Sequence, residues 1–102
     1  MVMTVEERLL WEAMTEVEKN SVLAKLRKNS QQRYLAKDYV MARVVGKMLN
    51  DRGNAWGTCQ YAYMLRHGQG GAQDLVKARD LYRQAAEKRY VPAMCNYGAM
   101  LR

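Results

Sequence analysis

The chain matches itself at an offset of 36 residues, and this internal repeat restricts the fold more than any other feature. Asp38, Val40, Ala42 and Arg43 recur as Asp74, Val76, Ala78 and Arg79. Further on, Cys59, Tyr61 and Met64-Leu65-Arg66 recur as Cys95, Tyr97 and Met100-Leu101-Arg102. Conservative pairs fill the gaps, among them Val45 with Leu81, Lys47 with Arg83, Asp51 with Glu87 and Gln60 with Asn96. Two unrelated amphipathic helices would not hold one register across a helix and into the next. A period of this length belongs to helix pairs that stack into a solenoid, each unit burying an apolar face that it cannot bury alone.

The local patterning agrees. Asp74 is placed to cap a helix, because its carboxylate can accept from the first unpaired backbone N–H groups. After it, Ala78, Leu81, Tyr82, Ala85 and Ala86 form one apolar stripe at helical spacing, with Arg79, Asp80, Arg83, Glu87 and Lys88 on or near the other side. Pro92 suits the first turn of the next helix, where its missing N–H is not needed. Gly68, Gly70 and Gly71 can turn the chain between two helices without steric cost. Small residues on the stripes, Ala62, Ala78, Ala85, Ala86 and Gly98, allow close helix approach.

These residues resemble a Sel-one-like repeat, a relative of the tetratricopeptide helix pair. The resemblance rests on Ala62, Gly68-Gln69-Gly70, Asp74, Lys77-Ala78, Leu81-Tyr82 and Ala85-Ala86 at the family's spacing. It is strong over 54–98, fair over 38–53 and negligible before that. The family's closing glycine is Arg89 here, although Gly53 keeps it in the preceding unit; Gly71 replaces a usual Val, Gly46 the Tyr, and Leu49-Asn50 the Ala pair. The resemblance implies an all-α fold, a short α/α solenoid of stacked antiparallel helix pairs, and a role in binding other proteins.

At the N-terminus, Thr4 and Glu7 form a capping-box pattern ahead of an apolar stripe through Leu10, Ala13, Met14 and Val17. Asn20-Ser21 is read as a break or bend, and residues 29–37 as a polar connection with Tyr34 and Leu35 buried. Six helices are expected, near 4–19, 21–29, 35–51, 54–67, 74–89 and 92–101. Residues 1–37 then form a divergent helical cap and 38–102 the repeats, one complete and flanked by partial units, in a single folded unit.

Charge is divided unevenly. Residues 1–20 hold five acids and two bases, a balance of −3, while the other 82 hold 15 bases and five acids, a balance of +10. That asymmetry points to an acidic partner, protein or nucleic acid. No apolar run approaches the roughly 18 residues that a membrane span needs, and Glu6 and Glu7 stand where a secretory signal would be basic and then apolar. A cytoplasmic protein with no membrane association is expected. Two cysteines cannot make a disulfide framework or a four-ligand zinc site. Equivalent places in stacked units lie about 8–10 Å apart, beyond disulfide reach, so both are expected to be buried free thiols.

No catalytic, metal or cofactor site emerges. His67 is the only histidine and has no ligand cluster around it. Gly68-Gln69-Gly70 lacks the third glycine, the preceding strand and the Lys-Ser/Thr of phosphate-binding loops. The candidates are therefore for binding. Trp56 and Tyr63 are the aromatic residues considered as exposed anchors. Arg66, Arg79, Arg83, Arg89 and Arg102 could ring the same surface and pair with acidic side chains, or be a solvated basic face. Met94, Tyr97, Met100 and Leu101, on a last helix that is the first of its pair, are expected to leave an apolar face uncovered for another chain, such as a symmetric homodimer. The leading expectation is a small non-enzymatic regulator or adaptor that sequesters another protein. In view of the family resemblance, a phage-type antirepressor that binds a repressor is one concrete version. The alternative is a nucleic-acid-binding accessory protein that uses the bases of 21–102, although no recognition-helix motif is present.

Overall fold

The computed structural model describes residues 3–101 and is all-α, with no strand among them. Six helices follow one another: α1 (Val5–Ala13), α2 (Glu16–Leu35), α3 (Tyr39–Asp51), α4 (Ala55–His67), α5 (Leu75–Glu87) and α6 (Val91–Met100). From α2 onward each helix packs on the next, which builds the expected solenoid of antiparallel pairs. The main core joins α4, α5 and α6 through Tyr61, Ala62, Leu65, Ala78, Leu81, Tyr82, Ala85 and Ala93. Tyr82 is its largest fully buried side chain.

The repeat is a structural fact at every level. α3 and α5 are both 13 residues long and begin 36 positions apart. Asp38 caps the first by accepting from the Met41 amide, and Asp74 caps the second by accepting from the Lys77 amide. Ala42 and Ala78 are fully buried, as are Leu49 and Ala85. The turns that follow α2, α3 and α5 are built alike. A residue with left-handed backbone closes each helix: Lys37 (φ 63°), Gly53 (φ 76°) and Arg89 (φ 61°). The next amide donates to the carbonyl five residues back, Asp38 to Arg33, Asn54 to Leu49 and Tyr90 to Ala85. This satisfies helix-end carbonyls that would otherwise lack donors.

The N-terminal third departs from the sequence reading. α1 stops at Ala13, Met14 is extended, and α2 starts at Glu16, capped by Thr15, rather than after Asn20-Ser21. Thr15 and Glu18 form the reciprocal capping box, whereas Thr4 accepts only from the Glu7 amide. Asn and Ser cost a helix interior only a few tenths of a kcal/mol, so α2 runs through them. The expected polar connection over 29–37 is the last two turns of α2 and a tight corner. Ser30 faces α3, fully buried, and donates to the Ala42 carbonyl at 3.1 Å. Tyr34 is half-buried, but Leu35 is 73% exposed, because it lies on the outer side of the final turn. α1 buries none of its residues. Its contact with the body runs through Trp11, whose ring lies 5.6 Å from the Arg52 guanidinium and 5.7 Å from the Lys19 ammonium.

Candidate protein-binding surfaces

Helix α4 has two different sides. Tyr61, Ala62 and Leu65 point into the core. Trp56, Gln60, Tyr63 and His67 follow one another at spacings of four, three and four and share another stripe, with Cys59 at its inner edge. The chain re-enters at Tyr90, the N-cap of α6, and Pro92 in its first turn. Trp56, Tyr63, Tyr90 and Pro92 thereby border one cleft of about 310 Å³ between α4 and α6. Tyr63 is 39% exposed, and its ring lies 4.4 Å from that of His67. Trp56 is half-buried beneath the Arg27 guanidinium, 4.9 Å from its ring centre. Arg27 enters no ion pair among the described residues, so a cation without a carboxylate stands at the aromatic wall.

The floor of the cleft is structural. Cys59 is buried, its thiol pushed up by desolvation against the opposing hydrogen bond from Asn96 of α6. Cys95, expected to be buried like its counterpart, is exposed. Cys59 is covered because α6 lies beside it, and no further helix among the described residues lies beside Cys95. Both cysteines are free.

The predicted arginines gather elsewhere. Arg66 and Arg79 border a groove of about 450 Å³ with Leu75, Val76, Ala99 and Met100. Arg79 and Arg83 share a larger depression of about 550 Å³ with Asp74, Lys77 and Tyr97. Arg83 is engaged within α5 by Asp80 and by Glu87 at 2.8 Å. Asp80 also accepts from Gln84, and these donors hold its carboxyl below the ordinary range, Arg83 first. Arg89 is exposed in the left-handed corner after α5, and Arg102 lies outside the described residues. Arg66, Arg79 and Arg83 thus border surfaces distinct from the Trp56–Tyr63 cleft, and Arg89 stands apart from them. Met94 on α6 and Leu101 at its C-cap are exposed, whereas Tyr97 and Met100 are half-buried against the core.

Two participants were not singled out in the sequence. Arg27 reaches Trp56 across 29 positions with no local signal. Arg43 donates to the carbonyls of Gln69 and Ala72 at 3.3 and 3.0 Å and so fastens the glycine turn that leads into α5. Its identity with Arg79 in the repeat was the available sign. Among the described residues, no three His, Cys, Asp or Glu side chains come together as metal ligands, and no helix is long and apolar enough to cross a membrane. No family model, curated protein or solved structure matches the chain.

Proposed function

We propose that the chain is a non-enzymatic binding module, a small cytoplasmic regulator or adaptor whose α4–α6 cleft grips a segment of another protein. One observation carries the reading: Trp56, Tyr63 and Tyr90 border a single cleft beside the unpaired Arg27. Rigid aromatic surface next to a desolvated pocket supplies most of the energy in protein recognition, and a neighbouring cation selects an acidic partner. The resemblance to Sel-one-like repeats supports the same function, and sequestration of a repressor, as by an antirepressor, is one form of it. The α6 face of Met94, Tyr97, Met100 and Leu101 is a second docking surface for another chain. A dimer by light scattering would make that chain a second copy.

The experiment is recovery of the partner from the source cell, followed by titration with purified components. Trp56→Ala and Tyr63→Ala each weaken the affinity by roughly tenfold or more, and binding survives about 0.3 M salt because short-range packing is poorly screened. The nucleic-acid reading instead requires an affinity that falls steeply with salt through counterion release. Arg33, Lys47 and Arg83 are already paired with Asp38, Asp51 and Asp80, which argues against a continuous track for phosphates.

A further inference from the structure

Acidic side chains are sorted between alternate helices. Beyond Glu18 the chain has five of them, Asp38, Asp51, Asp74, Asp80 and Glu87, and all belong to α3, α5 or their caps. Helices α4 and α6 carry none, and α2 has none after its first turn. These three acid-free helices supply the surroundings of the Trp56–Tyr63 cleft: Arg27 of α2 reaches the Trp56 ring of α4, and Tyr90 caps α6. Burial pushes the Tyr90 phenol up while the Arg27 charge opposes it, so the same cation faces both aromatic walls. Later units do not cover this side. Arg27 and Tyr63 stay exposed although α5 and α6 follow them.

The cleft also holds two carboxamides, Gln60 and Asn96, at equivalent places in successive units. Asn96 donates to the Cys59 thiol, whereas the half-buried Gln60 side chain makes no hydrogen bond among the described residues. A carboxamide offers donors and an acceptor together, the complement of a peptide unit. A helix has used its backbone groups internally, and an extended segment has not. A cleft of about 310 Å³ likewise admits a side chain or two, not a helix about 10–12 Å across.

Given the reading of this cleft as a site for another protein, we propose that its occupant is an extended segment with an Asp or Glu two residues from a bulky apolar residue. The carboxylate pairs with Arg27, the apolar side chain lies between Trp56 and Tyr90, and the backbone is held by Gln60. The spacing follows from the geometry. The guanidinium stands 4.9 Å from the Trp56 ring centre, and a paired carboxylate lies about 3 Å further. Side chains on one face of an extended chain recur about every 7 Å, at every second residue. A chain of phosphates fits less well, because Trp56, Gln60, Tyr63 and Asn96 add no charge to that of Arg27.

Selection of random linear peptides on the immobilised full chain tests the proposal. Enrichment of Asp or Glu two positions from Trp, Tyr, Phe, Leu or Met is expected. Replacing that acid by its amide in a synthesised winner should weaken binding roughly tenfold. Arg27→Glu, at an exposed position and checked by circular dichroism, should abolish the acid preference when the selection is repeated. Gln60→Met should weaken the acidic and amide peptides alike. Winners that need Trp56 but show no acid preference overturn the proposal and leave the cleft reading standing. So does an acid preference that survives Arg27→Glu, a spacing of three or four, or an affinity unchanged in Gln60→Met. No enrichment, or winners indifferent to Trp56→Ala, overturns both. Tighter binding of a labelled oligothymidylate, lost in Trp56→Ala, overturns the proposal in favour of a nucleic acid.

Discussion

Gly57 on α4 sits against Leu49 on α3 with no room for a side chain between them: a β-carbon at position 57 would collide with the Leu49 Cβ and press on the Asn50 amide. One unit later the same two places hold Ala93 and Ala85, both fully buried. The first unit joins a large residue to none, the second joins two small ones.

Substituting Gly57→Ala therefore destabilises the fold by about 1–3 kcal/mol through overpacking, although alanine is the better helix former by roughly 1 kcal/mol. Pairing it with Leu49→Ala recreates the combination found at 85 and 93. Urea denaturation of the two single variants and the double is expected to give a double less destabilised than the sum. Strict additivity would mean that the two residues do not share the space described here.

The left-handed corners at Lys37 and Arg89 carry a steric cost that glycine does not, about 1 kcal/mol each. Lys37→Gly and Arg89→Gly are expected to raise the melting temperature, each by about 5 °C for a domain of this size. Gly53→Ala, at the third such corner, lowers it. Thermal unfolding followed by circular dichroism separates these outcomes.

The thiols are expected to differ in reactivity. Cys95 is exposed, whereas Cys59 is buried with its thiolate disfavoured by desolvation. At mild alkaline pH a thiol reagent should label one cysteine per chain roughly a hundredfold faster than the other. Peptide mapping should place the fast label on Cys95, and denaturant should equalise the two.

Acid should loosen the second helix at its start. The Thr15 amide and hydroxyl donate to Glu18 and hold its carboxyl below the ordinary range. A carboxyl with a lowered folded value stabilises the native state above its unfolded value, near pH 4, and that contribution disappears as pH falls through the folded value. Asp80 behaves alike, with Arg83 as its first cause. Stability measured by urea titration should therefore fall below about pH 4. Glu18→Gln, which can still accept at the cap but does not titrate, should shrink that fall.

The repeated part was legible because its signals are local and doubled. Asp38 and Asp74, and Ala42 and Ala78, each state the same structure twice, and α4 to α6 follow the expected spans within a residue or two, while α3 ends where expected but begins at Tyr39 rather than at 35. In the N-terminal third there was no second copy to compare. The stronger start signal, Thr15-x-x-Glu18, lies only five residues from the weaker break at Asn20-Ser21, and the two compete for the same helix boundary. Leu35 and Cys95 were misjudged for another reason. Burial in a stacked array depends on which helix lies alongside, and a residue's own unit does not contain that information. The cleft was half legible: Trp56 and Tyr63 were chosen, whereas Arg27 arrives through tertiary packing alone.

Because helices from α2 onward pack chiefly on their neighbours in sequence, the contacts of this protein join residues close together along the chain. Chains wired in this way fold fast, within microseconds to milliseconds. They can also loosen from one end while the remainder stays assembled. Amide exchange should be quickest in α1, which buries nothing, and slowest around Tyr82, so that the helix flanking the central stack can open and close many times during the life of one folded core.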